Sequence, residues 1–300
     1  MRLQVARGLA DASAPSIARR EAERIVQQLA DSWALPAPSR KRIVDAVQPN
    51  VGVEMMYRQR LTGLLDTANQ ELHTLLANTP LPKIGFAHDD AKSPVGVLSE
   101  RLKIWGRRMI RNFDKMSGQI AKEFATESKQ ATEYATQQAF KRAGWTVKFT
   151  PTPKSVAAYQ SVIGENVALI RSVGQKFHTD VESQVWNAVR KGGDLHSLSV
   201  GLQKTYGVSA RRAAFIARDQ SAKAKAIMQA VRDQELGIKQ AVWHHSHAGE
   251  TPRPTHLRMN GKLFNLSEGM YDADVGEKVW PGQLPNCRCT YSSVIEGFEM

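Results

Sequence analysis

The chain has 300 residues, 42% of them apolar and 23% charged, enough to bury a substantial core and to hold two domains, which excludes disorder throughout. Lys and Arg exceed Asp and Glu by 12, and residues 1–150 hold 23 basic and 15 acidic side chains, so 8 of that excess lies in the first half. Such a surface suits nucleic acid or an acidic partner, whereas the segment from Glu250 onward carries 7 acidic and 5 basic residues.

Ser16 to Trp33 reads as a first helix and Arg40 to Val47 as a short second one. Leu61, Leu64, Leu65, Ala68, Leu72, Leu75 and Leu76 form one apolar stripe on a helix from about Val53 to Ala77. A loop from Asn78 to Pro94 follows. A long helix is expected from about 97 to 143, because Leu98, Leu102, Trp105, Met109, Phe113, Met116, Ile120 and Phe124 recur at about 3.67 residues per turn. Its polar face carries Arg101, Lys103, Arg107, Arg108, Arg111 and Lys115. A solvated face explains that run, with DNA or an acidic partner as the alternative. No aromatic side chains interleave there as in a base-stacking groove.

Gly144 ends this helix, Trp145 to Thr150 alternates as a short strand, and the domain boundary is placed at residue 150. Helices are expected over 154–236: one from Lys154 to Val189 with a weak point at Gly174, a cap at Gly192-Gly193-Asp194, a short helix from Leu195 to Tyr206, and a last one from Ser209 to about Leu236. A small sheet over 239–296 completes the chain. The fold class is α+β, an elongated and mainly helical N-terminal half followed by helices and a small C-terminal hairpin or sheet domain.

The chemistry concentrates in the last quarter. His244, His245, His247 and His256 lie there with both cysteines, Cys287 and Cys289. Asn260-Gly261 supplies two residues that tolerate positive φ, as a tight hairpin requires, with His256 and Leu263-Phe264 on the paired strands. From Asn265 to Pro285 the chain reads as irregular. Cys287 to Val294 is extended, so both thiols face one side. A cysteine pair one residue apart is no secreted disulfide framework and points to a reducing compartment. No apolar run approaches the roughly 18 residues that cross a bilayer, and Met1 to Arg7 lacks a signal-peptide core. A protein made and assembled in cytoplasm, without a membrane, is expected.

Glu250 to His256 with Arg253, then Asn260-Gly261-Lys262, Trp280-Pro281-Gly282 and Asn286-Cys287-Arg288-Cys289, resembles the C-terminal domain of the phage Mu F-like minor head proteins, the head-morphogenesis family of tailed phages and prophages. The resemblance reaches back to about Ala157 through Ala217-Arg218-Asp219-Gln220 and does not cover residues 1–150. It implies a minor capsid protein, present in few copies inside the capsid near the portal. Its expected partners are the portal oligomer, other capsid or scaffold proteins and packaged DNA. In some relatives it is released alongside DNA.

Two alternatives stand beside it. One is a metal- or His-dependent nuclease or effector using His256 with Glu250 and Arg253; the other is a DNA-binding protein using Arg101, Arg107, Arg108, Arg111 and Lys115. No cofactor is required by the head-protein reading. Zinc is the candidate metal at His256, Cys287 and Cys289, with a fourth ligand from His244, His245, His247 or Asp272. In the scaffold reading, Arg253 and Arg288 pair with Asp219, Glu250 or Asp274, Arg218 and Asp219 form a buried network, and Trp243 anchors the core beneath Cys287.

Overall fold

The computed structural model describes Arg24 and residues 42–79, 93–191, 195–248 and 251–296. The helix expected at 16–33 lies outside the described residues apart from Arg24, as do most of the loop at 78–94, the Gly192-Gly193-Asp194 cap and Glu250. Residues 42–295 form one compact unit.

Four helices build its larger core. α1 (Val51–Ala77) starts where the Asn50 side chain accepts from the Val53 N–H at 3.1 Å. It buries Leu61, Leu64, Leu65, Ala68 and Leu72, the stripe expected from spacing. α2 (Pro94–Arg142) is capped by Ser93 with proline in its first turn. Its 49 residues span roughly 73 Å at 1.5 Å per residue. Leu98, Leu102, Trp105, Met109, Phe113, Ile120 and Phe124 are buried along it, with Met116 packed at the margin. α3 (Pro153–Arg190) opens with a Thr152/Ser155 capping box, and α4 (Leu195–Glu235) runs unbroken to the sheet.

Two expected breaks are absent. Gly174 lies inside α3, where a Cβ would stand 2.6 Å from the Phe113 ring, so the glycine is a notch for an aromatic knob of α2. Gly207 lies inside α4, so the short helix and the last helix are one element. Glycine alone costs a helix only about 1 kcal/mol, which packing on neighbouring helices offsets.

The sheet is antiparallel in the order β1-β6-β2-β3, with β1 (Arg42–Ile43), β2 (Gln240–His244), β3 (Leu263–Asn265) and β6 (Thr290–Ile295). Arg40–Val47 is therefore not a helix where it is described. Ile43 pairs with Val294, the Val44 N–H donates to Ser293 O at 2.9 Å, and Val44 and Val47 enter the sheet-side core. An open edge of β6 decides this, and eight residues of local pattern carry no sign of it. Trp145–Thr150 is the converse case. Its side chains alternate between half-buried and exposed as expected, yet it joins no ladder. The stretch read as irregular, Asn265 to Pro285, contains a second two-stranded sheet, β4 (Met270–Asp272) with β5 (Glu277–Val279).

Packing also crosses residue 150. Phe113 of α2 seats against Gly174 of α3, and Tyr57 of α1 donates to Asn166 Oδ1 of α3 at 2.8 Å. Arg232, almost fully buried on α4, donates through Nε to Glu133 of α2 at 2.9 Å and through Nη1 to Thr150 O at 2.8 Å, and stacks over Phe149. The boundary expected there is a bend in the chain inside one unit.

Candidate functional site

The short helix α5 (Pro254–Met259) carries His256. This corrects the expectation of a strand: Pro254 presets the first helical turn, and the chain turns back only after Met259. At that turn Asn260 has φ −55° and ψ 129°, Gly261 has φ +76°, and the Lys262 N–H donates to Met259 O at 3.0 Å. This is a type II turn, in which the glycine supplies the one positive φ. Asn260 also accepts from the His245 N–H at 2.9 Å, while the Gly261 N–H donates to Trp243 O at 2.8 Å. The Asn-Gly pair thus joins α5 to β3 and fastens both to the end of β2.

From α5 the His256 ring points into the core against Trp243, ring centroids 5.1 Å apart and edge to face. His256, Cys287 and Cys289 are all buried, and their ligand atoms lie within 4.8 Å of one another. His256 Nδ1 is 3.5 Å from each sulfur, and Nε2 is 3.1 Å from Asp272 Oδ2. Asp272 is thus the outer partner of the imidazole and not a fourth ligand. Burial would raise its pKa, but the Asp274 N–H, Thr255 and His256 outweigh this and hold it below the ordinary carboxylate value.

The other motif residues hold the sulfurs in place. Asn286 sits at φ +59°, a left-handed turn that asparagine tolerates, and its N–H donates to Asp219 Oδ1. Gly282, at φ +90°, lets the 280 loop approach Ala222 and Ala226 of α4 while its N–H donates to Cys287 Sγ at 3.3 Å. Trp280 Nε1 donates to Leu266 O at 2.8 Å. The Cys287 thiol is pushed down, chiefly by the neighbouring Cys289 S–H and also by His256 and the Gly282 N–H. Cys289, held against that sulfur and buried, is pushed up.

Among the described residues the arginines hold backbone and not Asp219 or Asp274, while Glu250 lies outside those residues. Arg253 Nη2 donates to Pro285 O at 2.9 Å, and Arg288 Nη1 to Ala248 O at 2.7 Å. Arg218 and Asp219 do not pair either. Arg218 reaches Asn286 Oδ1 at 3.4 Å and lies over Phe215, while Asp219 faces Lys223 at 3.3 Å. Trp243 is fully buried beside the thiols, as expected of a core anchor.

Above the cluster lies a cleft of about 330 Å³ lined by His245, Arg253, His256, Asn286, Cys287 and Arg288 among others. His245 Nδ1 accepts from the His247 N–H at 3.0 Å. His244 is turned away, its Nε2 2.8 Å from Ser292 Oγ. On α2, Arg101 donates to Asn78 O and Thr79 Oγ1, Arg107 pairs with Glu100 and Arg108 with Glu71, and all three are exposed, as are Arg111 and Lys115.

Sequence reasoning missed Asp272 as the brace of His256, and missed Arg232, Lys225 and Asp233 as buried charges. Asp272 was open to inference only as a carboxylate near the motif. The three on α4 look like an ordinary solvated helix end until the sheet covers them.

The fold and site define a class: a helical bundle closed by a small sheet, with a long connection fastened by a His-Cys-Cys knot. Residues 179–292 match the family described as Phage Mu protein F like protein, so this C-terminal part is similar to that family, in agreement with its motif. The chain is also 24% identical over 272 residues to an uncharacterized protein of Haemophilus influenzae, covering 87% of this chain and 57% of that one. It thus spans little more than half of that relative's length. No solved structure matches. Among the described residues, no helix is long and apolar enough to cross a membrane.

Proposed function

We propose that this chain is a minor head protein of a tailed phage or prophage, acting in head morphogenesis inside the capsid through attachment to the portal oligomer. One observation carries the reading: the Mu F-like stretch is the part in which motif side chains are spent on one another and on backbone, as a docking module requires. Arg253, Arg288, Asn260 and Asp219 each fasten a loop to its neighbour. His256 has Nε2 against Asp272 and Nδ1 against both sulfurs, which leaves no ring nitrogen for a substrate and disfavours a nuclease or effector centred on it.

The full chain should be retained by portal oligomers of the same phage in a pull-down at both low and moderate salt. Absence of retention at both salts removes the proposal.

A further inference from the structure

We infer that His256 Nδ1, Cys287 Sγ and Cys289 Sγ form a structural site for one thiophilic divalent cation, zinc in the first place, with Asp272 as the carboxylate that orients the imidazole. Nothing in this inference depends on the head-protein reading.

Three independent features support it. The first is distance. Zinc lies about 2.0–2.1 Å from imidazole nitrogen and about 2.3 Å from thiolate sulfur, so at a tetrahedral angle nitrogen and sulfur stand about 3.5 Å apart. Both sulfurs lie 3.5 Å from Nδ1. The second is valence. Asp272 faces Nε2 and, as a carboxylate, can only accept, so Nε2 carries the proton and Nδ1 holds a single lone pair. One ion between the three atoms accounts for the equal approach of both sulfurs to that lone pair.

The third is the surrounding shell. A carboxylate on the far nitrogen of a ligating histidine fixes its tautomer and raises its basicity. The Gly282 N–H donates to Cys287 Sγ at 3.3 Å. The Trp243 indole N–H is buried without an oxygen or nitrogen acceptor and lies beside Cys289. These donors suit thiolate sulfur. The fourth position opens on the adjoining cleft, where solvent completes four-coordination. The ion would pin α5 to the segment before β6, closing a connection of some thirty residues between His256 and Cys287.

The test is elemental analysis of the full chain purified without chelator, followed by cobalt substitution. The expected result is about one zinc per chain and, with cobalt, a thiolate-to-metal charge-transfer band in the near ultraviolet. Cys287→Ser and Cys289→Ser each weaken the band by at least about half, and the double variant loses it. Asp272→Asn keeps the ligands but weakens metal affinity about 10- to 100-fold. Because the serine variants could fail to fold, chelator-treated wild-type protein is titrated with zinc alone, followed by circular dichroism. Folded wild-type protein that purifies without metal, and neither binds added zinc nor develops the cobalt band, overturns the site.

Discussion

Asp233 is fully buried between the end of α4 and strand β6, where it accepts from Tyr291 Oη at 2.9 Å and Ser293 Oγ at 2.8 Å. Burial pushes its pKa up to about 6 against the opposing effects of Ser293, Tyr291, Gln229 and Lys225. The folded protein therefore holds this proton more tightly than the unfolded chain. The associated stability is fully present below about pH 4 and is lost as pH rises to about 6, a difference of up to about 3 kcal/mol. Asp233→Asn mimics the protonated acid and should not show this loss. Denaturant unfolding of both proteins at pH 4 and pH 7 checks it: the wild type should fall relative to the variant between the two pH values. Equal changes in the two proteins would mean that Asp233 titrates as an ordinary carboxylate. Lys225, buried nearby on α4 with its pKa pushed down to about 8 mainly by burial, shows the same mismatch from the cationic side. Neither group was legible in the sequence, since Lys and Asp at the end of a helix usually face water.

Glycines inside the helices separate into two kinds by what surrounds them. At Gly174 a Cβ would meet Phe113 ring atoms at 2.6, 2.9 and 3.0 Å, and Phe113 is buried in the bundle core. At Gly207 the nearest foreign atom would be Arg211 Nη1 at 3.6 Å, an ordinary contact. Gly174→Ala should destabilise by about 1–3 kcal/mol through overpacking, while Gly207→Ala should stabilise by about 0.5–1 kcal/mol through helix propensity. Chemical denaturation midpoints measured side by side test both signs, and a stabilising Gly174→Ala would show that Phe113 yields easily. Spacing of apolar residues revealed α1 and α2 almost to their ends because a helix buries one face along its whole length. It could not tell a glycine that breaks a helix from one that admits a neighbouring ring, because the ring comes from another helix.

At the scale of the whole chain, residues 42–295 should unfold as one cooperative unit. Arg232 ties α4 to Glu133 of α2, Tyr57 ties α1 to α3, and β1 covers an edge of β6. A fragment beginning at residue 151 lacks α1, α2 and β1, leaving Phe177, Ile170 and Val173 without their covering helices and Arg232 without Glu133. It should aggregate or behave as a loosely packed state, whereas the full chain should give a single steep thermal transition. A soluble fragment 151–300 with sharp, native-like near-ultraviolet circular dichroism would show that the Mu F-like part folds by itself.

Composition, the long apolar stripes and the ordered motif from Arg253 to Cys289 were enough to indicate an α+β chain whose C-terminal part resembles the Mu F-like proteins, because those signals are local or are carried by residue identity. The partner of each motif side chain was decided only in three dimensions. Arg253 and Arg288 found carbonyl oxygens where carboxylates were expected, and Asp272 took the outer nitrogen of His256. Residues 42 and 43 became a strand because β6, some 250 residues later, offered an unpaired edge. Hydrogen bonds and covering contacts between distant segments leave no periodicity in a sequence, so packing had to choose them.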